Sequence, residues 1–301
     1  MKIENLKLKI VFFGASKFVI PLIDMLNRNF DLVLVVTTER DPSDVIPSFC
    51  KQNNIPHQTI KKITPEIQQR LEQLNAPLAV LAYFGVILPK QTLELFSQGI
   101  LNIHPSLLPK YRGATPVQSA LLNGDTETGV SIIKLDEEMD HGPILAQEKE
   151  KMLPSDTTAS LHDRLFTKGT NMLQHIIPEY FTGRISPTEQ NHEKAIYTKR
   201  SLTRQDGFIE VTNPPDKTKL DRMIRAYYPW PTVWTHLLIN GKEKVVKLLP
   251  PPSSLRGVSE TNDAAISSKI LLQVEGKKPV SLKDFLNGYP EMRETIQKLF
   301  G

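Results

Sequence analysis

Leu78-Ala79-Val80-Leu81-Ala82, followed by Tyr83-Phe84-Gly85-Val86-Ile87-Leu88-Pro89 and then Gly99-Ile100-Leu101-Asn102-Ile103-His104, is the stretch from which the fold can be read. Short apolar runs bounded by Gly and Pro are strands covered on both faces. Between them Lys90 to Phe96 has the pattern of a helix. Upstream the same unit recurs. Lys9 to Phe13 is a strand closed by Gly14, and helical periodicity runs from Ala15 through Leu26. Leu32 to Thr37 is a strand, Val45 to Asn53 a helix, Thr59 part of a short extended piece, and Pro65 to Leu74 an amphipathic helix with Pro at its first turn. Strand and helix alternating over a hundred residues predict an α/β domain with a Rossmann-like, mostly parallel sheet. Ligands of such sheets sit beyond the carboxyl ends of the strands, which is where His104 and the Phe84 to Leu88 loop fall.

The dinucleotide fingerprint is missing. Only Gly14 stands where three glycines are needed, so a tight strand-to-helix turn is the better reading of it. Further along, Thr115 to Asn123 reads as a helix, Gly129 to Leu135 as an alternating strand, Glu137 to Pro143 as a polar loop and Ile144 to Glu148 as a strand. Asp156-Thr157-Thr158 can cap a long helix to about Tyr180, and Ile185 to Thr198 reads as extended connection.

From about Arg204 the texture changes. Short strands are expected at Phe208 to Val211, Val233 to Ile239, Val245 to Leu248 and Ile270 to Val274, with Asn240-Gly241 as a hairpin turn. One helix, Lys217 to Ala226, lies among them, and Pro250 to Asp263 has a flexible composition. This pattern suggests a second, smaller OB-like β-barrel. The division expected is 1–190, 191–203 as linker, and 204–301.

Composition sets the class. The 301 residues are 40% hydrophobic and 23% charged, and no apolar run approaches the ~18 residues of a membrane span. No secretory leader is visible in Met1 to Leu8, so a cytoplasmic protein is expected. A single cysteine, Cys50, excludes an internal disulfide, and no His or Cys spacing supports a metal. The net charge of +4 is uneven. Residues from Asn191 on hold 18 Lys+Arg against 12 Asp+Glu, a surplus of +6, and the remainder of the chain is at −2. A basic C-terminal part fits an acidic or nucleic-acid partner, or simply a solvated domain.

The chemistry-bearing residues gather near the expected strand end. Asn102 and His104 are two apart in a strand and project from one face. A neutral amide can stabilise an oxyanion, and an imidazole can accept and return protons. Asp140, on the later polar loop, can orient His104. Each residue also has a plainer reading, Asn102 and His104 as strand caps and Asp140 as a turn former before Gly142. No Ser or Cys stands in a nucleophile setting, which favours direct acyl-type transfer between two bound substrates. His57, His162, His175, His192 and His236 have no motif around them, and His141 reads as incidental.

Asn102-Ile103-His104-Pro105-Ser106-Leu107-Leu108-Pro109, continuing Tyr111-Arg112-Gly113, with Asp140 and Gly142 later, resembles the formyltransferase family that uses 10-formyltetrahydrofolate. Ile224-Arg225-Ala226-Tyr227-Tyr228-Pro229-Trp230-Pro231, Gly276-Lys277-Lys278 and Phe285-Leu286-Asn287-Gly288 resemble the C-terminal domain of family members that act on methionyl-tRNA. The resemblance implies that the amino group of methionine on initiator Met-tRNA attacks the formyl carbon through a tetrahedral intermediate, giving N-formylmethionyl-tRNA for translation initiation. It implies His104 in proton transfer, Asn102 at the oxyanion and Asp140 orienting His104. The folate would lie against Phe84, Gly85, Val86, Ile87, Leu88, Ser106, Leu107, Leu108 and Pro109, with no metal, and the C-terminal domain of a monomer would hold the tRNA backbone. Family members carry a long basic loop after the second strand, whereas Thr38 to Asp44 is short and more acidic than basic. Gly14-Ala15-Ser16-Lys17-Phe18 also replaces their usual Gly-Thr-Pro. A folate-dependent N-formyltransferase for an amino sugar nucleotide or other small amine is the alternative enzyme, and a catalytically silent RNA-binding protein the alternative of another class.

Overall fold

The computed structural model describes residues 8–39, 45–251 and 270–300. Arg40 to Asp44 of the short loop and most of the Pro250 to Asp263 stretch lie outside them. The chain divides into two compact units. One takes the residues up to Gly113, Thr128–Glu150 and Asp163–Tyr197, and the other takes Ala114–Glu127, Lys151–His162 and the chain from Thr198 on.

The first unit is built on a seven-stranded sheet. Its strands are β1 (Lys9–Gly14), β2 (Asp31–Thr38), β3 (His57–Ile60), β4 (Leu78–Ala82), β5 (Gly99–His104), β6 (Glu127–Lys134) and β7 (Ile144–Lys151), in the order β3-β2-β1-β4-β5-β6-β7. The first five run parallel and β6 is antiparallel to β5. This mostly parallel, Rossmann-like sheet is the one expected, and β4 and β5 have the expected bounds. β6 is buried at six consecutive positions and not at alternate ones, because it lies inside the sheet with both faces covered.

Helices α1 (Ile20–Asn29), α2 (Val45–Gln52), α3 (Pro65–Gln73) and α4 (Lys90–Leu93) connect the parallel strands. A short 3-10 turn, Lys17–Val19, precedes α1, and the Ser16 hydroxyl accepts from Phe18 N–H at its start. Gly14 is required sterically: a Cβ there would come within 2.5 Å of the Phe12 ring and 2.9 Å of the Ala82 carbonyl oxygen. α6 (Thr158–Phe181) is the long helix expected. Thr157 and Asp156 act together at its start, with Ser160 N–H donating to Thr157 Oγ1 and Ser160 Oγ to Asp156 Oδ1.

Alternate strand residues feed opposite cores. Leu101 and Ile103 of β5 join Phe12, Leu26 and, from α6, Leu173 and Ile177 on one side. Ile100 joins Phe13, Phe84 and Phe96 on the other, with Val86 and Leu88 packed against them. Phe13 meets Phe84 and Phe96 edge-on, at centroid distances of 5.3 and 6.1 Å; such pairs add about 0.5–1.5 kcal/mol each beyond burial. Asn102 and His104 follow Ile100 at intervals of two and therefore share its face of the sheet.

The second unit contains a four-stranded antiparallel sheet of β8 (Val233–Ile239), β9 (Lys242–Leu249), β10 (Leu271–Val274) and β11 (Val280–Ser281), ordered β11-β10-β9-β8. Asn240 and Gly241, both at positive φ (51° and 71°), make the hairpin turn. Phe208 to Val211, expected as a strand, contributes only a bridge from Phe208 to Trp234. α7 (Lys217–Ala226) has the expected bounds and packs with α5 (Pro116–Asn123). Two C-terminal helices, α8 (Leu282–Gly288) and α9 (Arg293–Phe300), were not foreseen in a region expected to hold one helix. α8 starts with the Ser281 hydroxyl accepting from Asp284 N–H at 3.1 Å.

Candidate active site

At the carboxyl end of β5 the chain turns sharply and packs on itself. Ser106 Oγ donates to the Lys110 carbonyl at 2.5 Å, Ser131 Oγ donates to the Ser106 carbonyl, and Leu108 N–H donates back to Ser131 Oγ. Gln147 Nε2 donates to both the Leu108 carbonyl and Ser131 Oγ, each at 2.8 Å. Ser106 and Leu108 are buried, so they hold this loop from within, while Leu107 and Pro109 remain half-exposed.

The loop delivers Tyr111 in the left-handed region, at φ 63°. For a bulky residue this conformation carries strain, and such strain collects at functional sites. It turns the Tyr111 carbonyl toward His104, whose Nε2 lies 2.9 Å away and donates to it. Nδ1 of the same ring faces Asp140 Oδ1 at 3.5 Å. Acceptors thus face both ring nitrogens. The Asp140 contact is longer than a normal hydrogen bond and has room to tighten around a substrate.

Asp140 is itself held. It sits at φ 51°, and its Oδ2 accepts from Gly113 N–H at 2.7 Å. Gly142 lets this loop press on β6, since a Cβ there would lie 1.9 Å from the Lys134 carbonyl oxygen. Asn102, 7% exposed, has no hydrogen-bond partner for its side chain among the described residues, which leaves its amide available to a ligand. The structure therefore brings His104 and Asp140 together and sets Asn102 on the same strand face.

The Phe84 to Leu88 loop divides by depth. Phe84 is a core residue, Val86 and Leu88 are half-buried, and Gly85 is exposed. Ile87 is 79% exposed.

Several residues without an assigned role in the sequence belong to the same assembly. Arg112 is only 1% exposed. Its Nε and Nη2 donate to Gln190 Oε1 at 3.1 and 2.7 Å, Nη1 donates to Tyr197 Oη at 3.1 Å, and Nη2 also donates to His192 Nδ1 at 2.8 Å. His192 stacks on His141, centroids 3.9 Å apart, and His141 Nδ1 bonds Asp136 Oδ2 at 2.6 Å. His192, itself exposed, thus touches both the buried Arg112 and the His141 ring. Arg112 stood inside a quoted motif, but Gln190 and His192 lie in an aperiodic stretch that gives no spacing signal.

Residues 8–177 match the formyl transferase family. The chain belongs to that family. Formyl transferases similar to it over nearly their whole length include the methionyl-tRNA formyltransferase of Methylacidiphilum infernorum, 34% identical, covering 93% of this chain and 95% of the relative. That of Coxiella burnetii is 30% identical, covering 98% and 100%. Among solved formyl transferases, an N-formyltransferase from Helicobacter canadensis, in complex with folinic acid and dTDP-3-aminofucose, shares the fold. Its TM-score is 0.61 at 18% identity, over 90% of this chain and 96% of that one.

Proposed function

We propose that the chain transfers the formyl group of 10-formyltetrahydrofolate to the amino group of methionine on initiator Met-tRNA, giving N-formylmethionyl-tRNA for translation initiation in the cytoplasm. The observation that carries this reading is the His104–Asp140 contact with an unpartnered Asn102 amide two residues away on the same strand face. Full-length similarity to proteins named methionyl-tRNA formyltransferase supports the choice of acceptor.

10-Formyltetrahydrofolate supplies an electrophilic formyl carbon. The Asn102 N–H donates to the formyl oxygen as it gains negative charge, with the His104 imidazole beside it. Asp140 keeps the imidazole oriented, so that one proton can pass from the attacking amine toward the departing nitrogen. The exposed Ile87, with Val86, Leu88, Leu107 and Pro109, offers an apolar wall for the pteridine end, and Phe84, Ser106 and Leu108 fix that wall from beneath.

Acceptor binding falls to the second unit in this reading, its sheet being part of an OB-like barrel. Along β8 the residues Trp234, His236 and Leu238 face outward, and Lys247 of β9 pairs with Trp234 in register. Arg204 lies over the Trp234 ring at 4.7 Å, and Phe208 packs on its side at 4.8 Å. Cations beside aromatic rings suit phosphates and unpaired bases together.

The test is acceptor choice. Purified protein with 10-formyltetrahydrofolate should formylate initiator Met-tRNA far faster than elongator Met-tRNA. Failure with both tRNAs, alongside turnover of an amino sugar nucleotide, would replace this acceptor assignment with the small-amine one.

A further inference from the structure

We propose that Gln190 is a positioning residue for the transfer reaction, a two-ended amide that sets the Asp140 loop against the buried charge of Arg112. The inference rests on Asp140 taking part as described above. Gln190 is 5% exposed and its amide is saturated at both ends. Its Oε1 accepts twice from Arg112, at 3.1 and 2.7 Å. Its Nε2 donates to the Asp140 carbonyl at 2.9 Å and to the Gly142 carbonyl at 2.7 Å. Only one orientation of the amide satisfies these partners, since two are donors and two are acceptors.

The geometry couples the loop to a fixed point. Arg112 is buried with neutral acceptors and the Tyr197 ring around it, and no carboxylate is among its partners within the described residues. A buried guanidinium without a counter-ion must keep every hydrogen bond it has, so it fixes Oε1 firmly. The rigid amide passes that constraint to the two carbonyls flanking His141. Asp140 needs such an anchor: it is held at φ 51°, and its oxygen approaches His104 only to 3.5 Å. A small drift of the loop would separate carboxylate from imidazole, and errors of about 1 Å in catalytic placement can cost 10²-fold in rate.

Gln190→Glu separates the two ends. The carboxylate still accepts from Arg112 and supplies the missing counter-charge, but it cannot donate to the Asp140 and Gly142 carbonyls and repels them. If Gln190 serves only to satisfy Arg112, this variant should be as active and at least as stable as the wild type. The positioning role predicts a folded protein whose kcat falls about 10–100-fold, with KM for folate and for tRNA within roughly twofold. It also predicts non-additivity: in an Asp140→Ala background the same change should cost less than about twofold, since residues acting through one another do not add. If Gln190→Glu is not recovered folded, Gln190→Met, which lacks donor and acceptor alike, carries the comparison with the Asp140→Ala background alone: a loss in the wild-type background that vanishes in Asp140→Ala supports the role, and an equal loss in both overturns it. A kcat within about threefold of wild type, or an equal fold-loss in both backgrounds, would overturn the role of Gln190. Near-normal turnover by Asp140→Ala itself would instead overturn the site assignment beneath it.

Discussion

The end of β5 and the outer face of β8 and β9 solve opposite problems. At the first, nearly every polar atom is buried and matched: His104, Ser106, Arg112, Ser131 and Gln190 are each less than about a tenth exposed and each has a named partner. At the second, Trp234, His236 and Lys247 alternate outward from a well-packed strand pair and present themselves to solvent. A reaction that moves one proton and one carbon needs groups held to fractions of an ångström, and buried networks give that precision. A polyanion the size of a tRNA needs a broad surface whose grip is largely electrostatic. The comparison teaches that rate and acceptor affinity should be separable by mutation.

The sharpest break is at the buried end. His104→Ala should lower kcat by roughly a hundredfold or more, the scale of general acid-base and oxyanion contributions, with KM for tRNA little changed. Steady-state kinetics at saturating folate read both numbers, and near-normal kcat would remove His104 from the mechanism. Next in size is the core beneath the Phe84 to Leu88 loop. Phe84→Ala should destabilise the protein by about 3–5 kcal/mol, measured by urea unfolding, because it empties a site between Phe13 and its neighbours. A loss below about 1 kcal/mol would mean the loop is not anchored through this ring.

At the exposed end, Lys247→Glu and Arg204→Glu should weaken tRNA binding without touching kcat. Removing one cation from a phosphate should reduce the slope of log Kd against log salt by about 1. A change in folate KM with tRNA affinity intact would show that this face is not the RNA platform. Smallest is a pH effect in the first unit. Burial pushes the Glu150 carboxyl up, but Lys168 at 3.0 Å and Arg164 at 2.7 Å outweigh it and hold it below its ordinary value of 4.5. With the folded value depressed, the stabilisation is complete above pH 4.5 and is lost as pH falls through the folded value. Glu150→Gln should therefore narrow its stability gap to wild type as pH drops in that window. A constant gap would contradict the linkage.

How much could be read from the amino acids alone follows the same divide. β4 and β5 were legible to the residue because parallel strands buried on both faces are short apolar runs with Gly or Pro at their ends. Asn102, His104 and Asp140 could be singled out as the proposed site because each lies at a strand end or in a turn, where a polar residue stands out. Gln190 and His192 were not, since they act through Arg112 some eighty residues away, and an aperiodic segment records no such partner. The helices α8 and α9 were missed for a related reason. They are short and mostly polar, so Phe285 in α8 and Ile296 and Leu299 in α9 mark their buried sides only once packing is known.

The most direct test is a steady-state assay of formyl transfer from 10-formyltetrahydrofolate to initiator Met-tRNA, run on wild type, His104→Ala and Lys247→Glu together. The wild type should yield formylmethionyl-tRNA, His104→Ala should show a collapse of kcat with unchanged tRNA KM, and Lys247→Glu a raised tRNA KM with unchanged kcat. No formylated tRNA from the wild-type protein, or full turnover by His104→Ala, would contradict the assignment of this site.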